Sequence, residues 1–242
     1  MAAASGKTTE GEIYVQEEPI RWIRNGALRN RPVYLFAHGA GAASTSDWMQ
    51  HVATGLHQRG ITVVRFNFPY MERAVREGRR RPPDAKPRLL QTCRQMFEML
   101  QSKLPAAQRP SPPIVVGGKS MGGRMMSILL AEEHALPAAA AVYLGYPLHP
   151  PGRPTSLRTA HLSQIGVAQL FVSGSRDPLG RIDLFETTVD GLGRRARLHR
   201  VEGGDHSLST SRKEPLRGSD AWLDVVAQFL LDKTRRRLAA PA

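Results

Sequence analysis

The sequence predicts a single α/β domain built as a three-layer sandwich around a mostly parallel sheet. Three observations carry this. Short apolar runs alternate with amphipathic segments from end to end, the pattern of strands covered by crossover helices. No linker-like or low-complexity stretch divides the chain, and 242 residues fit one α/β unit of ordinary size. One apolar run passes directly into Gly118-Lys119-Ser120-Met121-Gly122 and then into a helical pattern, a strand–turn–helix with a serine at its bend.

The elements follow in order. Residues 32–37 (PVYLFA) form a buried strand, and 48–56 have helical spacing that stops before Gly60. Residues 61–66 (ITVVRF) are the next strand, and 71–87, dense in arginine and proline, read as a loop. Residues 89–104 are a helix with an apolar face of Leu90, Cys93, Met96, Phe97 and Leu100. The strand 113–116 enters the glycine-rich turn, and 121–134 are helical. Three further strands lie at 139–145, 168–172 and 198–201, with a helix at 182–189 between the last two. A closing helix at 221–236 aligns Trp222, Val225, Phe229 and Leu230. Residues 13–15 suggest a peripheral strand, 1–10 a flexible tail, and 11–238 the domain. The proline-rich stretch 147–164 is too short for a lid domain, so the site is expected to be open.

Composition narrows the function. No run reaches the ~18–20 apolar residues of a membrane span, and the first ten residues lack the apolar core of a secretory signal, so a cytoplasmic protein is expected. The single cysteine, Cys93, cannot close an intramolecular disulfide and reads as a packed thiol. The formal net charge of +13 is almost all arginine, clustered at 76–81, 194–200 and 235–237. None of these clusters is interleaved with aromatics or set in a nucleic-acid motif, so nucleic acid is not expected as a partner.

The serine carries the chemistry. A hydroxyl is a weak nucleophile at neutral pH and needs a base, a group orienting that base, and donors for an oxyanion. Glycines flank Ser120 because a β-carbon there would meet the neighbouring strand and helix. In this arrangement the acid and the histidine follow along the chain on loops after later strands. Asp177 follows the strand 168–172, and His206 follows the strand 198–201. Glu202 and Asp205 compete for the orienting role; Asp205 adjoins His206, so its carboxylate points elsewhere, and Asp177 ranks first. The oxyanion donors expected are the N–H of Met121, after the nucleophile, and that of Ala40 in His38-Gly39-Ala40-Gly41, with Gly41 as alternative. His51, His57, His134 and His199 read as surface or packing residues, whereas His149 and His161 border the expected pocket.

Together these residues resemble a known group. FAHGAGA (36–42), VVRFNFPYME (63–72), GGKSMGGRM (117–125), LGYPLHPPGRP (144–154), LRTAHL (157–162), SGSRDPLG (173–180) and GGDHSL (203–208) are similar to small proteins of the α/β-hydrolase superfamily related to dienelactone hydrolases. Eukaryotic members of that group include a testis-expressed protein and a subunit of a histone-acetyltransferase complex. The resemblance implies the α/β-hydrolase fold with a minimal lid, a Ser120–Asp177–His206 triad, and no metal or organic cofactor. It implies no substrate, and dienelactone hydrolases typically carry cysteine where this chain has Ser120. The expected activity is hydrolysis of carboxylic esters or related acyl compounds; a protein-interaction module on the same scaffold is the alternative. The expected partner is a small acyl substrate, and the arginines leave an anionic one open. Gly39, Gly41, Arg65, Tyr70 and His161 are the expected substrate-binding residues, beside the arginines of 76–81, His149 and Arg158.

Overall fold

The computed structural model describes residues 8–29, 31–104, 111–211 and 220–238. Eight strands form one sheet: β1 (Thr8–Val15), β2 (Glu18–Asn25), β3 (Val33–Ala37), β4 (Thr62–Phe66), β5 (Ile114–Lys119), β6 (Ala140–Leu144), β7 (Ala168–Gly174) and β8 (Ala196–Val201). Their order is β1-β2-β4-β3-β5-β6-β7-β8. The six strands from β4 to β8 run parallel, and the hairpin β1–β2 joins antiparallel at β4. The connections are α1 (Asp47–Gln58), α2 (Pro69–Glu77), α3 (Lys86–Lys103), α4 (Met121–Glu132), α5 (Ile182–Leu192) and the closing α6 (Ala221–Leu238).

The central strands are buried on both faces, so they read as continuous apolar runs whose alternate residues serve two cores. Leu35, Val116, Tyr143 and Phe171 pack with residues of α3 and α4, including Met96, Phe97, Met126 and Leu129. Tyr34, Phe36, Val115 and Val142 face the other way, onto Val52 and Leu56 of α1 and Leu223 and Val226 of α6. Parallel pairing brings the carboxyl ends of β3, β5, β7 and β8 to one edge, where open α/β sheets bind ligands. The closing helix joins the wall beside that edge, with Trp222 stacked on Trp48 at 6.4 Å.

Three expectations need correction. The peripheral strand is longer: β1 begins at Thr8, so residues 8–10 belong to the sheet rather than to a tail, and 1–7 lie outside the described residues. Its partner β2 has no clean alternation to betray it; Ile20 and Trp22 are buried, but the apolar Ile23 follows Trp22 directly and Arg24 and Asn25 continue no pattern. The arginine-rich stretch 71–87 is not one loop. Pro69 opens α2, where its fixed φ suits the first turn, and Gly78 (φ 66°) closes it. Only Pro69, Tyr70, Met71 and Glu72 of that helix are buried, too few for the periodicity to show. The stretch 147–164 forms no lid beyond a single turn of 3-10 helix at Leu162–Gln164. The arginines of 194–200 lie on the edge strand β8 and the turn before it, mostly exposed, where charge discourages pairing with another sheet. Among the described residues, no helix is long and apolar enough to cross a membrane.

Leu35 is fully buried at the centre of the sheet. Leu35→Ala is expected to lower the unfolding free energy by about 2–5 kcal/mol, read as a reduced urea midpoint with an unchanged denaturant slope. A change within error would mean that the two cores are not packed as described.

Candidate active site

Strand β5 ends at Lys119 and α4 begins at Met121, leaving Ser120 alone to make the turn, at φ 49° and ψ −116°. A non-glycine residue there carries strain of order 1–3 kcal/mol and persists only where its surroundings hold it. They do so by close approach. A β-carbon on Gly118 would lie 2.4 Å from the Ala37 carbonyl oxygen, and one on Gly122 would lie 2.5 Å from that of His38. The glycines thus let the elbow sit against the end of β3, and the Ser120 N–H is held by the Leu144 carbonyl of β6 at 3.0 Å.

Ser120 Oγ lies 2.9 Å from His206 Nε2. The other ring nitrogen, Nδ1, lies 2.8 and 3.0 Å from the two carboxylate oxygens of Asp177. A carboxylate only accepts, so Nδ1 carries the proton and Nε2 is free to accept one from the serine. The Asp177 side chain is fully buried, and its Oδ1 also accepts from the Leu179 N–H at 2.8 Å. The competing acids are occupied elsewhere. Asp205 Oδ1 accepts from the N–H groups of Ser207 and Ser209, and Glu202 is exposed, bound to Ser175 and Arg200.

The loop after β3 is turned by two buried rings. His38 Nε2 accepts from the Phe68 N–H at 3.0 Å, so its Nδ1–H donates to the Gly39 carbonyl at 2.6 Å. Burial keeps this histidine neutral, lowering it to about 4. The Tyr70 hydroxyl donates to the Ala40 carbonyl at 3.0 Å. In a trans peptide the C=O and N–H point in opposite directions. Holding the carbonyls of Gly39 and Ala40 toward His38 and Tyr70 therefore turns the N–H groups of Ala40 and Gly41 the other way. Gly39, Ala40 and Gly41 line a cleft of about 360 Å³ with Ser120, His206 and Trp48. The N–H of Met121 opens α4, where the first turn has no intrahelical acceptor.

The expected substrate-binding residues divide. Gly39 and Gly41 line the cleft; Arg65, Tyr70 and His161 do not. Arg65 points from β4 to the Ser44 carbonyl at 2.6 Å and to Asn25 at 3.2 Å, its head spent on holding loops. Tyr70 is fully buried beneath the loop whose carbonyl it holds. His161 Nε2 meets Ser127 Oγ at 2.8 Å in a network with Tyr146, behind α4. His149 is also buried, its Nδ1 on the Pro150 carbonyl.

Lys119 and Trp48 received no role from the sequence, yet both grip the histidine loop. The buried Lys119 ammonium donates to the His206 carbonyl and lies 5.5 Å from the centre of the Trp48 ring. The Trp48 Nε1–H donates to the next carbonyl, Ser207, at 2.8 Å. The position of Lys119 within the serine motif was the available signal, but a lysine there also fits a solvated turn. Among the described residues, no group of three or more His, Cys, Asp or Glu side chains is gathered to hold a metal ion.

Two outcomes are expected. Tyr70→Phe frees the Ala40 carbonyl, so kcat should fall about tenfold with little change in KM, as loss of aim at an oxyanion does; an unchanged kcat would remove Tyr70 from that role. Burial lowers Lys119 from 10.5 to about 8, against the pull of Asp177 and Asp205. Between those two values the unfolded chain binds the extra proton, so stability rises with pH. Urea unfolding at about pH 7 and about pH 9.5 should show the native protein gaining on Lys119→Met; no gain would mean that the ammonium is not buried.

Comparison with known proteins agrees with this architecture. The model of a family described as an alpha/beta hydrolase domain matches residues 30–231. Among solved structures, a putative α/β hydrolase from Agrobacterium tumefaciens is similar at 14% identity, with 97% of this chain and 100% of that chain covered and a TM-score of 0.71. A dienelactone hydrolase from Anabaena variabilis is similar at 19% identity, with 96% and 99% covered and a TM-score of 0.69. A serine hydrolase without a lid from Xanthomonas campestris is similar at 18% identity, with 98% and 97% covered and a TM-score of 0.58.

Proposed function

This chain belongs to the alpha/beta hydrolase domain family, and we propose that it hydrolyses carboxylic esters or related acyl compounds through Ser120, His206 and Asp177. The observation that carries the reading is the unbroken relay from Ser120 Oγ through both ring nitrogens of His206 to the buried Asp177 carboxylate. A non-catalytic interaction module on the same scaffold would have no use for that alignment. Neighbours that are themselves a dienelactone hydrolase and a serine hydrolase support the same reaction class.

In the first half-reaction Ser120 Oγ attacks the substrate's carbonyl carbon while its proton passes to His206 Nε2. The carbonyl electron pair moves to oxygen, and that oxyanion accepts from the N–H groups of Ala40 and Met121, with Gly41 beside them. Asp177 stabilises the imidazolium and keeps the ring oriented. His206 then gives its proton to the leaving oxygen, the carbon–oxygen bond breaks, and an acyl ester remains on Ser120. Water repeats the sequence: it loses a proton to His206, attacks the ester, and releases the acid as Ser120 regains its proton. The scheme uses no cofactor.

A fluorophosphonate should label Ser120, and Ser120→Ala should lose both labelling and ester turnover. Asp177→Asn should keep the fold and lower kcat by about 10³–10⁴-fold, as loss of the orienting acid does. Labelling that survives Ser120→Ala, or a mild Asp177→Asn beside a crippled Glu202→Gln, would overturn the assignment.

A further inference from the structure

A second cavity of about 440 Å³ adjoins the cleft of Ser120, and the two share Ala40, Gly41 and Ala42 as a common wall. Its floor is apolar: Met71, Ala74 and the exposed Val75, on the face of α2 turned toward that wall. Its rim is Arg79, Arg80 and Arg81, and no carboxylate is among the residues that line it. We propose that this cavity receives the acyl arm of the substrate, and that the arm is apolar and ends in an anion, a carboxylate or a phosphate. The proposal rests on the ester-hydrolase reading above.

The local sequence builds the rim. Gly78 takes the left-handed conformation, and the Arg79 N–H returns to the Ala74 carbonyl at 3.2 Å, so the chain reverses at the end of α2. That reversal lays the three arginines beside the apolar residues of the helix they have just left. Glu77 stands outside the cavity and takes Arg79 at 2.8 Å and Arg81 at 2.5 Å on one oxygen, fixing the direction of two side chains. Among the described residues, Arg80 has no ion-pair partner. Three guanidinium groups against one carboxylate leave a net local charge of about +2, and planar guanidinium forks suit carboxylate and phosphate oxygens.

The wall decides which part of the substrate enters. The leaving group must lie beside His206, because Nε2 returns the proton to its oxygen. His206 lines the cleft and not the arginine-rimmed cavity. The substituent that crosses the wall is therefore the acyl arm. It crosses at Gly41, where even an added β-carbon would have nothing within 4 Å.

The test compares the p-nitrophenyl monoester of adipic acid with its terminal carboxamide, following nitrophenolate release. At low salt the carboxylate should have a kcat/KM about five- to tenfold higher, and the gap should narrow toward about twofold at about 0.5 M salt, because the arginines are partly exposed. Changing Arg79, Arg80 and Arg81 together to Gln should close the gap within that variant. A matching arm that ends in a phosphate shows which anion gains more. Turnover of the carboxamide with no preference for either anion would overturn the inference and leave the hydrolase reading standing. A preference that survives the triple substitution would place anion recognition elsewhere. Failure to turn over any of these esters, with no fluorophosphonate label on Ser120, would take down both.

Discussion

Everything at this site depends on how closely β5 can end against β3. Gly118 and Gly122 meet the carbonyls of Ala37 and His38 at distances that exclude a side chain. That contact permits the single-residue bend at Ser120, which is held in a strained backbone conformation. The bend lifts the hydroxyl off the end of the sheet and starts α4 at once, so an unpaired helix N-terminus lies beside the serine. The parallel order β3-β5-β6-β7-β8 then sets the reach of the remaining parts. The Asp177 and His206 loops both issue from the same edge, after β7 and β8.

Precision comes from carbonyl groups held from behind. His38 and Tyr70 bind the carbonyls of Gly39 and Ala40; Lys119 and Trp48 bind those of His206 and Ser207. These hydrogen bonds are partly buried, and each ties a loop carbonyl to a side chain anchored in the body of the protein, where leaving it unmade costs more than at an open surface. His206 and the segment 39–41 are therefore presented by loops, but by loops whose carbonyls are already bound. The same logic explains why Arg65 and Tyr70, promising in sequence as ligand-facing residues, are spent inside the protein: each meets a loop carbonyl before it can meet a substrate.

Much of the parallel sheet was legible because its strands are apolar throughout and are punctuated by helices with one apolar face. Ser120, Asp177 and His206 stand out in the sequence because each follows such a strand by a few residues, and the fold brings the three side chains within hydrogen-bond distance. What escaped did so for physical reasons. β2 alternates imperfectly at the sheet's margin, and α2 buries only its first turn, so neither prints a period on the sequence. His161 sits close in sequence to the post-strand segment but turns behind α4 to Ser127, a direction that no one-dimensional pattern encodes. The arginines of 76–81 were visible as charge; the apolar floor beside them was not, because it requires the reversal at Gly78.

The central claim is that acyl groups pass through a covalent bond to Ser120. It is tested most directly by mass spectrometry of peptides from turnover of a p-nitrophenyl ester, acid-quenched within the first turnover. The account predicts an acyl adduct on the peptide that bears Ser120, approaching one per chain, and its loss on chase in buffer. Ester turnover with that peptide unmodified, or with the adduct on another residue, would contradict it.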